Sequence, residues 1–134
     1  MIAGPIDKIA SGGELARFLL AIKVVLSANE PPKTLIFDEV DSGVGGAVAA
    51  AVGARLARLG KKMQTLVITH SPQVASNGNH HLKIEKYQSG EQMLSSTGSL
   101  SENERLEEIA RMLAGDEITD AARSAAAQLL KGDR

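Results

Sequence analysis

The chain has 134 residues, 43% of them apolar and 23% charged, with a net charge of −1. That is about one domain of an ordinary globular sequence, with no overall basic field for nucleic acid or an acidic membrane surface. It has no cysteine, which excludes disulfides and thiolate metal sites. No apolar run approaches a membrane span and the N-terminus lacks a signal-peptide pattern, so a cytoplasmic protein is expected.

Aromatic residues are only 2% of the chain, so the core is expected to be aliphatic and rich in alanine. In chain order, Gly4-Pro5 breaks any regular structure near the start. Ser11-Gly12-Gly13-Glu14 has two compatible readings. It is a capping box, in which Ser11 and Glu14 satisfy free N–H groups at a helix start. It is also an anion site, because two glycines leave N–H groups uncovered at the positive end of a helix. The helix it opens carries Leu15, Phe18, Leu19, Ile22 and Leu26, spaced as one apolar stripe. Pro31-Pro32 ends it.

The stretch Thr34 to Gly46 organises the rest. Leu35, Ile36 and Phe37 form a short apolar run, the pattern of a strand buried on both faces of a parallel sheet. Asp38 and Glu39 stand where the run stops. Ligands bind at the carboxyl ends of strands in open α/β sheets, and an acidic pair there suits Mg²⁺-assisted phosphoryl transfer. The plainer alternative is a strand followed by an acidic, Gly-rich turn. Gly43, Gly45 and Gly46 keep that turn permissive. A helix over about Ala47 to Leu59 follows, with Gly60 as its C-terminal cap. Thr65 to Thr69 is a second buried β run, and His70-Ser71-Pro72 comes next. A right-handed parallel crossover places His70 at the same sheet edge as Asp38 and Glu39, where it can donate a hydrogen bond to a phosphate oxygen.

In the tail, Leu82 to Tyr87 alternates as an antiparallel strand with one wet face, Ser89-Gly90 turns, and Gln92 to Thr97 returns. His80 and His81 have no partner at ligand spacing and read as structural. Ser101 and Glu104 make a second capping box for a helix with Leu106, Ile109, Ala110 and Leu113 on its apolar face and Gly115 at its end. Thr119 caps a last helix that reaches Leu130. Arg55, Arg58, Lys61 and Lys62 read as a solvated face rather than a DNA contact.

Together these motifs resemble ABC-type ATPases. Ser11 to Glu14 looks like the signature motif, Leu35 to Glu39 like the Walker B strand with its catalytic glutamate, Val40 to Gly43 like the D-loop and His70 like the switch histidine. Ile9 to Leu15, Asp38 to Gly46, Thr69 to Ala75 and the Ile109 to Gly115 tail more closely resemble the bacterial DNA-repair ATPases related to the structural-maintenance-of-chromosomes (SMC) proteins. Glu14 stands where ABC transporters usually carry Gln, and Ser42 to Gly46 departs from the usual transporter and SMC D-loops.

The resemblance implies an α/β fold: the C-terminal lobe of a P-loop NTPase head over residues 1–134, parallel strands with flanking helices plus a C-terminal antiparallel hairpin. It implies ATP and Mg²⁺ as cofactors, with Asp38 holding the metal through water, Glu39 as general base and His70 on the γ-phosphate. Ser11, Gly12, Gly13 and Glu14 would bind the ATP of a second head, and Asp41, Ser42 and Gly43 would cross the dimer interface. The expected partners are the N-terminal Walker A lobe, a second head and DNA, with no membrane, in a bacterial cytoplasm at the nucleoid. No Gly-x-x-x-x-Gly-Lys-Ser/Thr occurs. The segment is therefore expected to be inactive alone, because that loop cradles the β- and γ-phosphates. The alternatives are a fragment of a transporter nucleotide-binding subunit and a non-catalytic interaction module of the same fold.

Overall fold

A computed structural model describes residues 34–90, 92–115 and 117–132, together with Glu14, Arg17, Phe18, Leu20, Ala21, Ile22 and Val25. The chain divides into two compact units, residues 1–77 and 78–134.

In the first unit, strands β1 (Thr34–Asp38) and β2 (Gln64–Ile68) pair in parallel, with Asp38 opposite Ile68. Helix α1 (Gly46–Gly60) makes the crossover, and the one-turn helix α2 (Pro72–Ala75) follows β2. The expected helix and strand are each recovered to within a residue or so. Helix α1 forms because its alanines favour helix and because Ala49, Val52, Gly53, Leu56 and Leu59 share one buried face. That face packs with Phe37, Val40 and Val74, and Leu35, Met63 and Val67 close its margin. Phe37 is 3% exposed, and burying such a ring is worth about 2–3 kcal/mol.

Three details differ from the sequence reading. Gly60 does not form a left-handed cap: the helix ends on Lys61 in right-handed helical geometry, and Lys62 and Met63 donate back to the Leu59 carbonyl. Described residues from Glu14 to Val25 are helical as expected, but Leu20 reaches the core while Phe18 stays 48% exposed. The two lie on opposite sides of a helix, and this helix is apolar on more than one side. The start of that helix, with Ser11, Gly12 and Gly13, lies outside the described residues. Finally, among the described residues β1 and β2 are covered on one face only. Ile36, Leu66 and Ile68 on the other face are 60%, 41% and 48% exposed.

In the second unit, β3 (Leu82–Ser89) and β4 (Gln92–Ser99) form an antiparallel hairpin, followed by α3 (Glu102–Ala114) and α4 (Asp120–Lys131). The Ser101–Glu104 capping box is present, and Thr119 accepts from the Ala122 N–H at 3.2 Å. Gly115 takes a positive φ of 79° after α3. The hairpin was expected to have one wet face, yet Leu82 and Ile84 are 57% and 65% exposed, and so is much of its other face. Glu108 is 8% exposed and is held by Arg111 and by Lys83, the latter at 3.2 Å. Arg123 joins α4 to α3 through Glu107.

Two predictions follow from these contacts. A Cβ on Gly53 would lie 2.9 Å from the Gln73 carbonyl oxygen and 3.2 Å from the Val74 Cα, both backbone atoms of α2. Gly53→Ala should destabilise the protein in urea by roughly 1–2 kcal/mol, because overpacking outweighs the gain in helix propensity. Gly60→Ala, with nothing within 4 Å, should be neutral or slightly stabilising. The second prediction concerns Glu108, whose hydrogen bond from Arg111, aided by Lys83, lowers its pKa from the usual 4.5 despite opposing desolvation. Its stabilisation is therefore present above the unfolded value and is lost as pH falls through the folded one. Glu108→Gln should be less stable at neutral pH and lose less stability than the parent below about pH 4.5, as thermal melts against pH will show.

Candidate functional site

Parallel pairing sets the site. Because β1 and β2 run the same way, both end at one edge, and the residues just beyond Asp38 and Ile68 become neighbours although about thirty apart in sequence. The Glu39 N–H donates to the Ile68 carbonyl at 2.9 Å, extending the ladder one step. Glu39 then takes a φ of 47°, the sole positive value among the described non-glycine residues. This left-handed residue reverses the chain, so that Val40 and Asp41 turn inward to 4% and 2% exposure while the Glu39 side chain stays outside. The Ser42 N–H closes the turn on the Glu39 carbonyl at 2.9 Å.

His70 stands opposite. Its Nδ1 is 4.0 Å from the Glu39 carboxyl, and the two side chains are 72% and 60% exposed. At such exposure their mutual attraction is worth little; the pair matters for where it is placed. The edge thus presents Asp38, Glu39 and His70, as the sequence order suggested. Asp38 is solvent-exposed at the strand end. No group of three or more His, Cys, Asp or Glu capable of holding a metal occurs among the described residues. One exposed carboxyl still fits Mg²⁺, which keeps several waters and takes one or two protein carboxylates together with substrate phosphates.

Of the residues assigned to the second-head side, Glu14 is helical and exposed, and Ser11, Gly12 and Gly13 lie outside the described residues. Ser42 is half-buried and Gly43 exposed on the turn. Asp41 faces inward and accepts a hydrogen bond from Thr69 Oγ1 at 2.5 Å. The same Thr69 oxygen accepts from the Ser71 N–H at 2.9 Å. Arg17, on the preceding helix, donates to the Ser42 carbonyl at 3.4 Å. Thr69 reads in sequence as the end of a strand; the signal that marks it is a hydroxyl residue immediately before the histidine. His81 is half-buried, with burial and the charge of Arg105 lowering its pKa. The concavity between the hairpin and α3, lined by Lys83, Glu85, Glu107, Glu108 and Arg111, holds acidic and basic groups already paired with one another or with α4.

The fold is shared with part of SMC-type ATPase heads. A structure from work on the structural biochemistry of ATP-driven dimerization and DNA-stimulated activation of SMC ATPases matches with a TM-score of 0.63 at 22% identity, covering 82% of this chain and 66% of that one. The Smc head domain with a coiled coil and joint from Pyrococcus yayanosii matches at 0.64 and 24% identity, covering 75% of this chain and 19% of that one. By sequence the chain is a homologue, over nearly its whole length, of the DNA repair protein RecN. It is 47% identical to RecN of Streptomyces coelicolor over 132 residues, 98% of this chain and 23% of that protein. It is 47% identical to RecN of Deinococcus radiodurans over 129 residues, 96% and 22% respectively, and 48% identical to RecN of Rickettsia felis over 130 residues, 97% and 24%. The chain thus spans about a quarter of the length of these relatives. No protein-family model matches it. No helix among the described residues is long and apolar enough to cross a membrane.

The left-handed backbone at Glu39 yields a test of the site's geometry. An L-residue there costs about 1–2 kcal/mol that glycine avoids. Glu39→Gly should therefore raise stability by up to about 1 kcal/mol, once the greater freedom of the unfolded chain is set against the relief. Glu39→Val, branched at Cβ, should lower it. Urea unfolding of the two variants beside the parent measures both.

Proposed function

We propose that this chain is the C-terminal lobe of the ATP-binding and ATP-hydrolysing head of an SMC-like protein that acts in DNA double-strand-break repair and recombination. The observation that carries the reading is the convergence at one sheet edge of Asp38 and Glu39, at the end of β1, with His70, just past the end of β2, the Glu39 carboxyl lying 4.0 Å from His70 Nδ1. Homology to RecN and the SMC head fold support it. The Glu39 carboxyl takes the proton of the water that attacks the γ-phosphorus. His70 donates a hydrogen bond to a γ-phosphate oxygen. Asp38 would hold Mg²⁺, and the ion would supply charge neutralisation on the phosphates when bound.

The phosphate loop comes from the N-terminal lobe of the same protein. Its place is consistent with the uncovered apolar face at Ile36, Leu66 and Ile68, since parallel sheets are covered on both faces. Without that loop, this lobe by itself neither hydrolyses ATP nor binds it tightly. Ser11, Gly12, Gly13 and Glu14 bind the γ-phosphate of ATP held by a second head, and Ser42 and Gly43 meet that head while Asp41 supports them from within. DNA is the partner of the whole protein, in the bacterial cytoplasm at the nucleoid.

The test uses the full-length protein in two forms, Glu39→Gln and Ser11→Arg. Glu39→Gln keeps the shape and removes the base, so hydrolysis should fall about 10²–10⁴-fold while ATP binding persists. Ser11→Arg should be nearly inactive as well. Each mixed dimer then contains one site with both defects and one with neither, so mixing should restore up to one site's turnover. A protein carrying both changes should leave mixed dimers with wild type without an intact site. Near-normal turnover of Glu39→Gln removes it from the base role. Absence of complementation, with activity kept in the double-variant mixture, places all the motifs within one head.

A further inference from the structure

The Glu39 and His70 side chains are exposed, so no packing from outside fixes the distance between them. Besides the ladder bond from the Glu39 N–H to the Ile68 carbonyl, a side-chain contact ties their two turns together from underneath. Asp41, two residues after Glu39, is 2% exposed, and its Oδ2 accepts from the Thr69 hydroxyl across 28 residues of sequence. That hydroxyl accepts in turn from the Ser71 N–H, so one oxygen atom engages the residues on both sides of His70. Asp41 Oδ1 is buried and has no hydrogen-bond partner among the described residues. A buried carboxyl with half its accepting capacity unused adds little to stability and costs desolvation. Its effect is geometric: it joins the turn after β1 to the turn after β2 beneath the reacting edge.

We infer that Thr69 and Asp41 are positioning residues for ATP hydrolysis, a hydrogen-bonded strut that holds the base Glu39 and the γ-phosphate contact His70 in mutual register. The inference rests on the ATPase reading above. Neither residue touches substrate; each acts through its neighbour in the chain, and the strut also runs behind Ser42, the surface offered to the second head. Loss of the strut leaves nucleotide binding intact, because the binding groups lie elsewhere, and loosens only the arrangement of base and histidine. A displacement on the order of an ångström in such a site costs up to about 100-fold in rate.

The experiment compares full-length wild type with Thr69→Val, which keeps shape and loses the hydroxyl, Thr69→Ser, which keeps the hydroxyl, Asp41→Ala, and the Thr69→Val/Asp41→Ala double variant. Thr69→Ala replaces Thr69→Val if the latter does not melt cooperatively. Thr69→Val and Asp41→Ala should lower kcat by about 10- to 100-fold with KM for ATP within about threefold of wild type. Thr69→Ser should stay within about threefold in kcat, and the double variant should be no slower than the slower single one, since both remove the same bond. The Ser71 amide should exchange with deuterium faster in Thr69→Val than in Thr69→Ser. Wild-type turnover with Thr69→Val unimpaired overturns the strut and leaves the ATPase reading standing. So does an equal loss in Thr69→Ser, a loss expressed in KM, or rate losses that multiply in the double variant. Absence of turnover in the wild-type protein overturns the ATPase reading, and the catalytic role of the strut with it.

Discussion

The parallel pairing of β1 with β2 is the constraint from which the rest follows. In an antiparallel pair, a tight turn would join the two strands and their carboxyl ends would lie at opposite edges. Parallel pairing forces a crossover, and α1 supplies it with a helix whose buried face is Ala49, Val52, Gly53, Leu56 and Leu59. The carboxyl ends of both strands then share an edge, and every candidate catalytic side chain is the first or second residue past a strand end. Gly53 lets α2 approach α1 closely, with a Cβ there meeting backbone at 2.9 Å, and so anchors the segment that follows His70.

The same pairing leaves an unfinished surface. Two parallel strands with a helix on one side bury half of what they offer, and Ile36, Leu66 and Ile68 remain on the other face. Parallel sheets stand almost always between two covering layers. The exposure is thus consistent with a lobe that completes its sheet against another part of a longer protein, and RecN relatives are about four times the length of this chain. The composite arrangement proposed for the site has the same logic: the edge would contribute a base, a metal ligand and a phosphate contact, and the loop that cradles phosphates would come from elsewhere.

Strain and burial sit close to the edge that carries Glu39 and His70. Glu39 occupies a left-handed backbone position that favours glycine, and Asp41 buries a carboxyl with one hydrogen bond. Neither is what stability by itself would choose. Each turns a side chain in a required direction: Glu39 outward beside His70, Asp41 inward beneath Thr69. The second unit shows the contrasting use of charge, where Glu108 is buried but doubly paired, by Lys83 and Arg111, and its carboxyl is fully engaged.

Much of this was legible in the residues. The runs at Leu35–Phe37 and Thr65–Thr69, the alanine-rich helix between them and the capping residues Ser101, Glu104 and Thr119 are local signals, carried by neighbours in the chain. They specified the elements, the parallel order and the convergence of Asp38, Glu39 and His70, because chain order and crossover handedness restrict where strand ends lie. Properties that depend on contacts between distant segments were not legible. Periodicity placed Phe18 on the apolar stripe, but the core took Leu20, since a helix apolar on several sides does not say which side meets a neighbour. By resemblance Asp41 was expected at a dimer interface, and the left-handed step at Glu39 instead turns it inward. Thr69 read as the last residue of a strand, and its bond to Asp41 exists because the sheet brings together two turns 28 residues apart. Residue order sets the elements and the polar groups at their ends; packing sets which side chains face in, because burial and hydrogen bonding between distant segments depend on how the elements come together.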